Sequence, residues 1–293
     1  MANTIEYVNA YVKMLDLINK KEACTSFLES NGLAVKFDET DAQVVKIYGV
    51  SFNGLGTYSR ANGYPDGSVD SAWQTFTMAM DRGTKIPLDA LDAKEAYLEI
   101  MFLAAEFQRT KVVPEVDAYR FSKICTLAGI DVAADLTYDT AIAAIDTGIE
   151  TLDDAECPQN NRVCFVSNNM YKLLKNSGEL FNIRLTTQNN GVVNREIMYL
   201  DNMPIVRPAA TVFKTAFTFS ATDGFTPAGG VKDINFMICD AASVMAVNNY
   251  NKPKIITPEL NADGDGFIYG YRIYHDLFIP DSRLPNVYVH TKS

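Results

Sequence analysis

The sequence predicts an α+β fold, and three observations carry that expectation. Helix-period and strand-period segments are mixed, without the regular β-α-β alternation of a parallel α/β protein. Hydrophobic residues make up 47% of 293 residues, enough to fill a core in one large domain or two lobes. Residues 44–86 carry a hairpin pattern, rich in glycine and poor in charge, beside the helical segments.

Residues 3–30 read as an amphipathic helix, with Ile5, Val8, Val12, Leu15 and Ile18 at helical spacing and Lys20, Lys21 and Gly32 marking its end. Such a helix needs an apolar partner, in its own core or on another subunit. Residues 44–52 and 72–80 read as strands. Between them, residues 54–67 form a turn-rich tip with Asn62-Gly63 and Pro65-Asp66-Gly67. From Gly49 to Met80 only Arg60, Asp66 and Asp70 are charged. A long, sparsely charged hairpin is weak on its own. Spacing leaves two readings open: an ordinary hairpin in a sheet, or one lying on a neighbouring subunit.

Asp92-x-x-Glu95 resembles a capping box and opens a helix with Tyr97, Ile100, Met101, Ala104 and Phe107 or Gln108 on one face. Pro114 should end or kink it near residues 111–113. A second piece, residues 115–127, closes at Ala128-Gly129. Thr137 starts another helix, with Ala141, Ile142, Ile145, Ile149 and Leu152 apolar. A strand at 162–166 leads to Ser167, which can cap a helix at 168–174. Asn189-Asn190-Gly191 signals a hairpin between 183–187 and 192–195. Strands follow near 198–199 and 204–206, then a Thr/Ser/Gly/Ala-rich loop at 215–232. The remainder reads as a strand at 235–238, a helical turn at 241–246, a short strand at 254–256, an alternating strand at 267–279 and a last strand at 287–289.

The 26 Lys and Arg against 36 Asp and Glu give a net charge of −10, which argues against gripping nucleic acid by its phosphates as the main task. No basic segment precedes an apolar run at the N-terminus, and no run of 18 uncharged apolar residues exists, so neither a signal peptide nor a membrane helix is expected. The five cysteines, Cys24, Cys125, Cys157, Cys164 and Cys239, form no C-x-x-C pair, and the two histidines are His275 and His290. A zinc site of ordinary spacing cannot be written from them, and idle thiols of a reducing cytoplasm are expected.

The same scarcity removes catalytic constellations. In Tyr274-His275-Asp276 the histidine and the acid point to opposite faces of a strand. Asn261-Ala-Asp263-Gly-Asp265-Gly266 starts like a calcium loop, but its twelfth position is Arg272 where a glutamate is needed. Asp153-Asp154 sits in a polar stretch and reads as solvated. No phosphate-binding or nucleophile-elbow motif occurs. No catalytic residue, cofactor or metal is therefore expected. A small-molecule enzyme using Tyr271, Arg272 and His275 is a rival reading, as is a tail or decoration protein.

Three stretches in order carry a family likeness. They are Asp81-Arg-Gly-Thr-Lys-Ile-Pro-Leu-Asp89, Val113-Pro-Glu-Val-Asp-Ala-Tyr-Arg-Phe-Ser-Lys123, and Lys252-Pro-Lys-Ile-Ile-Thr-Pro258 followed by Tyr271-Arg-Ile-Tyr-His-Asp276. Over residues 40–290 the chain resembles major capsid proteins of tailed bacteriophages, with the Hong Kong 97 fold. The resemblance implies an N-terminal arm at 1–36 and an extended loop at 37–88. It implies a peripheral domain with a long spine helix at 89–132 and 251–293, and an axial domain at 133–250. It implies a subunit that assembles with copies of itself into pentamers and hexamers of an icosahedral head in the virion. That head is built in the host bacterial cytoplasm and encloses double-stranded DNA without reading its sequence. Partners would be a separate scaffolding protein, a portal and decoration proteins, with no membrane. Some relatives cross-link through a lysine in the extended loop; residues 49–80 hold no lysine, so no such cross-link is expected. A bacterial nanocompartment shell of the same fold is the alternative.

Overall fold

A computed structural model describes residues 23–29, 35–37, 43–88 without 62 and 65, 102, 104–177, and 197–293 without 263 and 265. Most of the expected helix at 3–30, the helix start at Asp92 and the Asn189-Asn190-Gly191 turn lie outside these residues. In chain order the strands and helices begin with β1 (Val35–Phe37), β2 (Val44–Phe52), β3 (Val69–Thr77), β4 (Met80–Leu88), α1 (Val113–Ala128) and β5 (Val132–Ala133). Next come α2 (Ala141–Asp154), β6 (Arg162–Val166), α3 (Asn168–Asn176), β7 (Tyr199–Leu200), β8 (Met203–Val206), β9 (Phe217–Ser220) and β10 (Gly224–Pro227). The chain closes with β11 (Ile234–Asp240), β12 (Met245–Ile256), β13 (Phe267–Phe278) and β14 (Val287–Thr291).

A six-stranded mixed sheet, ordered β5-β14-β11-β6-β8-β7, forms the centre of one core. Its inner strands read as unbroken apolar runs because helices cover both faces. Alternate residues sort cleanly between the layers. Val163, Phe165, Met237, Cys239, Val287 and Val289 face Ala118, Phe121, Ile124 and Cys125 of α1. Cys164, Val166, Phe236, Ile238 and Tyr288 face Ile145 and Leu152 of α2 and Met170 and Leu174 of α3. At Gly148 α2 comes so close that a Cβ would stand 3.0 Å from the Tyr288 ring.

The second sheet is antiparallel, ordered β12-β13-β4. Its prolines, Pro87 and Pro253, sit on the two outer strands, where a missing N–H breaks no ladder; the central β13 has none. Tyr269, Tyr271 and Ile273 pack on Val112 and Val116, so α1 serves both sheets, one with each half. From Ile273 on, β13 is buried on both faces, because Tyr274 and Phe278 meet Val45 and Ile47 at the root of the β2–β3 hairpin.

Several expectations need correction. Pro114 does not end the helix, but the helix is disturbed close to the expected 111–113: a π-helical stretch, Gln108–Val112, precedes the proline and the chain continues as α1 with the proline in its first turn. The widened turn supplies the room a proline ring demands. The helix expected from Thr137 begins at Ala141, because the backbone N–H of Thr137 donates to Thr140 Oγ1 and holds a turn first. Residues 215–232 are not an open loop but contain the β9–β10 hairpin, turned by Gly224 at φ +74°. Arg82 orders that hairpin by donating to the carbonyls of Ser220 and Gly224. The helical turn expected at 241–246 is only a turn, since β12 begins at Met245, and the short strand at 254–256 is the end of β12. The second hairpin strand is residues 69–77 rather than 72–80; Met80 opens β4, which the sequence reading left unassigned.

Candidate assembly surface

The β2–β3 hairpin pairs in a single register from Val44↔Thr77 to Phe52↔Val69. Its two faces change roles along its length. At the root, Val45 and Ile47 are buried, with Phe76 beside them, on the face that meets Met245, Val247 and Tyr274. Further out that same face carries Gly49/Ala72 and Ser51/Asp70. The opposite face begins with Lys46/Thr75, then becomes apolar: Tyr48 opposite Trp73, Val50 opposite Ser71, Phe52 opposite Val69. The Tyr48 and Trp73 rings lie 4.9 Å apart. All the large apolar side chains of this outer stretch are exposed, Phe52 at 73%. Beyond the strands Leu55 is fully exposed and Tyr64 is 88% exposed. Nine-residue strands with such a face are unusual on a surface meant for water. Burying Phe52 and Leu55 on a partner is worth roughly 1.5–3 kcal/mol each.

The role change was legible and missed. In Val45-Lys-Ile47-Tyr48-Gly-Val50-Ser-Phe52 the apolar positions shift parity between Ile47 and Tyr48, and a shift of one moves apolar side chains to the other face.

A second feature shapes how the chain's N-terminal segment is held. Asp117, 4% exposed, accepts from the N–H groups of Cys24 and Thr25 at 3.0 and 3.2 Å and from the Thr25 hydroxyl at 2.6 Å. Arg120, fully buried, donates to the Thr25 carbonyl at 3.2 Å and to Glu29 Oε1 at 2.9 Å. Asn248 donates to the same Glu29 oxygen at 2.9 Å. Burial pushes the Asp117 carboxyl above its ordinary range, against the pull of these bonds and of Arg120. The sequence offered a signal here too: Asp117 and Arg120 lie three apart, one helical turn, inside a run buried on nearly every side.

The residues weighed for chemistry are scattered. His275 is 1% exposed, packed edge-on against Tyr119 at 5.3 Å, and its Nδ1 has no hydrogen-bond partner among the described residues. Burial, then the charge of Arg120, pushes its pKa down to about 3. Asp276 instead accepts from the Tyr119 hydroxyl at 2.7 Å and from the Ala79 N–H at 2.8 Å. The Tyr271 hydroxyl donates to Asn251, and Arg272 pairs with Asp81 at the surface. Tyr271, Arg272 and His275 thus have separate partners: Asn251, Asp81 and the Tyr119 ring. Within the calcium-like stretch, Asp263 and Asp265 lie outside the described residues, and Asn261 donates to the Gly266 carbonyl at 2.7 Å, closing a turn before β13. Asp153 is not merely solvated but pairs with Arg162 at 2.6 Å. His290 stacks on Phe236 and is buried. Cys125, Cys157, Cys164 and Cys239 are buried and Cys24 half-buried, all as free thiols; burial raises Cys125 and Cys164 to about 12. Among the described residues no helix is long and apolar enough to cross a membrane.

No protein-family model and no curated protein matches the sequence. Solved structures do. The mature capsid of bacteriophage PhiM1 matches at TM-score 0.62 and 14% identity, covering 86% of this chain and 82% of that one. The capsid of cyanophage P-SCSP1u matches at TM-score 0.56 and 14% identity, covering 86% and 84%. The chain has the Hong Kong 97 capsid fold. A virus-like particle from Pyrococcus furiosus shares it too, at TM-score 0.53 and 10% identity over 96% and 98% of the two chains. The fold that the sequence resemblance implied is thus the fold observed. Within this capsid fold, the hairpin and the junction of residues 23–29 with α1 are two places where the inside–outside rule is reversed.

Proposed function

We propose that this chain is a major capsid protein of a tailed phage, assembling through pentamers and hexamers into an icosahedral head that encloses double-stranded DNA. The observation that carries the reading is the β2–β3 hairpin: its apolar outer face is left uncovered by the described residues, in a fold shared with phage capsids. The hairpin acts as the extended loop, lying on an adjacent copy with Tyr48, Val50, Phe52, Val69 and Trp73 inward. Many modest contacts of this kind sum by multivalency into a stable closed shell. The role is structural, not enzymatic, and its place is the virion. Scaffold, portal and decoration proteins would be separate chains, and the loop forms no lysine cross-link. The acidic chain suits DNA confined by closure rather than by tight contacts.

The test is deletion of residues 55–67 with electron microscopy of the purified protein, alongside the wild type. The expected result is shells or hexamer sheets from the wild type and folded, unassembled subunits from the deletion. Normal shells from the deletion would overturn the hairpin's role; a wild type that stays monomeric under all assembly conditions would overturn the capsid reading itself. The match to the archaeal virus-like particle favours one second reading, a nanocompartment shell. Extraction of assembled particles separates the two, since DNA supports the phage head and an enclosed enzyme supports the compartment.

A further inference from the structure

Two surfaces of opposite charge stand at opposite ends of strand β8. The basic one is built on Tyr171 of α3, a buried ring whose hydroxyl accepts from the Ile197 N–H at 3.0 Å. Lys175 Nζ lies 4.7 Å from the centroid of that ring, and the Arg207 guanidinium carbon 4.4 Å. The ring attracts both cations and limits where they can go. Lys172, Asn168 and Asn176 complete a shallow hollow beside them. The acidic surface consists of Asp146, Glu150, Asp153 and Asp154 of α2 with Asp201 of the β7–β8 turn.

Strand direction sets them apart. Strands β6 and β8 are parallel. The Asp153–Arg162 pair puts the acidic surface at the start of β6, and Asp201 precedes β8. Arg207 directly follows β8, whose four residues span roughly 13 Å. On the assembly reading above, we propose that the Tyr171 surface receives the carboxylates of the acidic surface of a second copy, head to tail. Opposite charges on opposite ends of one subunit make a heterologous contact, which a rotation can close into a ring. A nucleic-acid phosphate chain fits less well, because a chain of net charge −10 as a whole repels a polyanion.

Charge reversal tests the pairing. One variant carries Lys172→Glu and Lys175→Glu, so both of its surfaces are acidic. Another carries Asp146→Lys, Glu150→Lys and Asp154→Lys, so both are basic. Each alone is expected to stay unassembled where the wild type forms particles, with an unchanged circular dichroism spectrum. Mixed in equal amounts, they should regain six-membered rings, in which the two kinds alternate, but not five-membered ones. All five changes in a single chain should restore assembly outright. Assembly of either single-surface variant at the wild-type threshold would overturn the proposal while leaving the capsid reading intact. So would failure of both rescues, or a basic-surface variant whose shells form normally and only retain less DNA.

Discussion

The outer hairpin and the junction of residues 23–29 with α1 reverse the usual sorting of side chains in opposite senses. The hairpin puts Phe52, Leu55, Tyr64 and Trp73 into water. The junction puts Asp117 and Arg120 out of it. The difference teaches which contacts the chain completes alone. Buried charges are tolerable only when paired and hydrogen-bonded. Here Cys24, Thr25, Glu29 and Asn248 supply that pairing from the same chain. Exposed apolar surface is tolerable only if something outside the chain covers it. The junction is closed within the chain; the hairpin's apolar face is left exposed.

The comparison breaks most sharply at Arg120. Replacement Arg120→Ala leaves Asp117 and Glu29 without their cation in the interior, and is expected to cost the isolated subunit about 3–5 kcal/mol. Urea unfolding of unassembled protein measures this, and a loss under about 1 kcal/mol would mean the junction is not a closed unit.

The next effect is on acid stability. His275 titrates near 3 in the native state, far below the ~6.5 of an unfolded imidazole. Between those values the unfolded chain takes up a proton that the native chain refuses. Stability is therefore complete above about pH 6.5 and falls by up to about 1.4 kcal/mol per unit below it. His290, also lowered by burial, adds in the same direction, while Asp117, raised by burial, opposes it. The variant His275→Phe keeps the packing on Tyr119 and should flatten the slope between pH 7 and 5. An unchanged slope would remove His275 as its source.

At the hairpin the subunit should barely respond. Phe52→Ser with Trp73→Ser is expected to shift subunit stability by less than about 0.5 kcal/mol per site. The same pair should abolish particles seen by light scattering. A large loss of subunit stability would show that the outer face serves its own chain. The smallest effect belongs to the exposed Arg272–Asp81 pair, where Asp81→Asn should leave the urea midpoint unmoved.

Local signals fixed much of the fold. Ser167 caps α3, as its position before an apolar-periodic run implies, its hydroxyl accepting from the Met170 N–H at 3.2 Å. Gly129 closes α1 at φ +84°. The alternation of β13 and the low charge of the hairpin were plain in the residues. The misreadings fell where a distant contact decides: Arg82 converts residues 215–232 from loop to hairpin, and the π-helical stretch carries the helix past Pro114.

The sequence by itself determined the α+β class, the capsid likeness and the scarcity of chemistry, because period, composition and residue inventory are properties of the chain alone. Only the tertiary structure decided what covers the root of the hairpin, why Asp117 and Arg120 can be buried, and that His275 and Asp276 serve the interior separately. Those outcomes rest on pairings across 90 to 200 residues, where free energy depends on which groups share a dielectric and which meet water, and no local pattern encodes that.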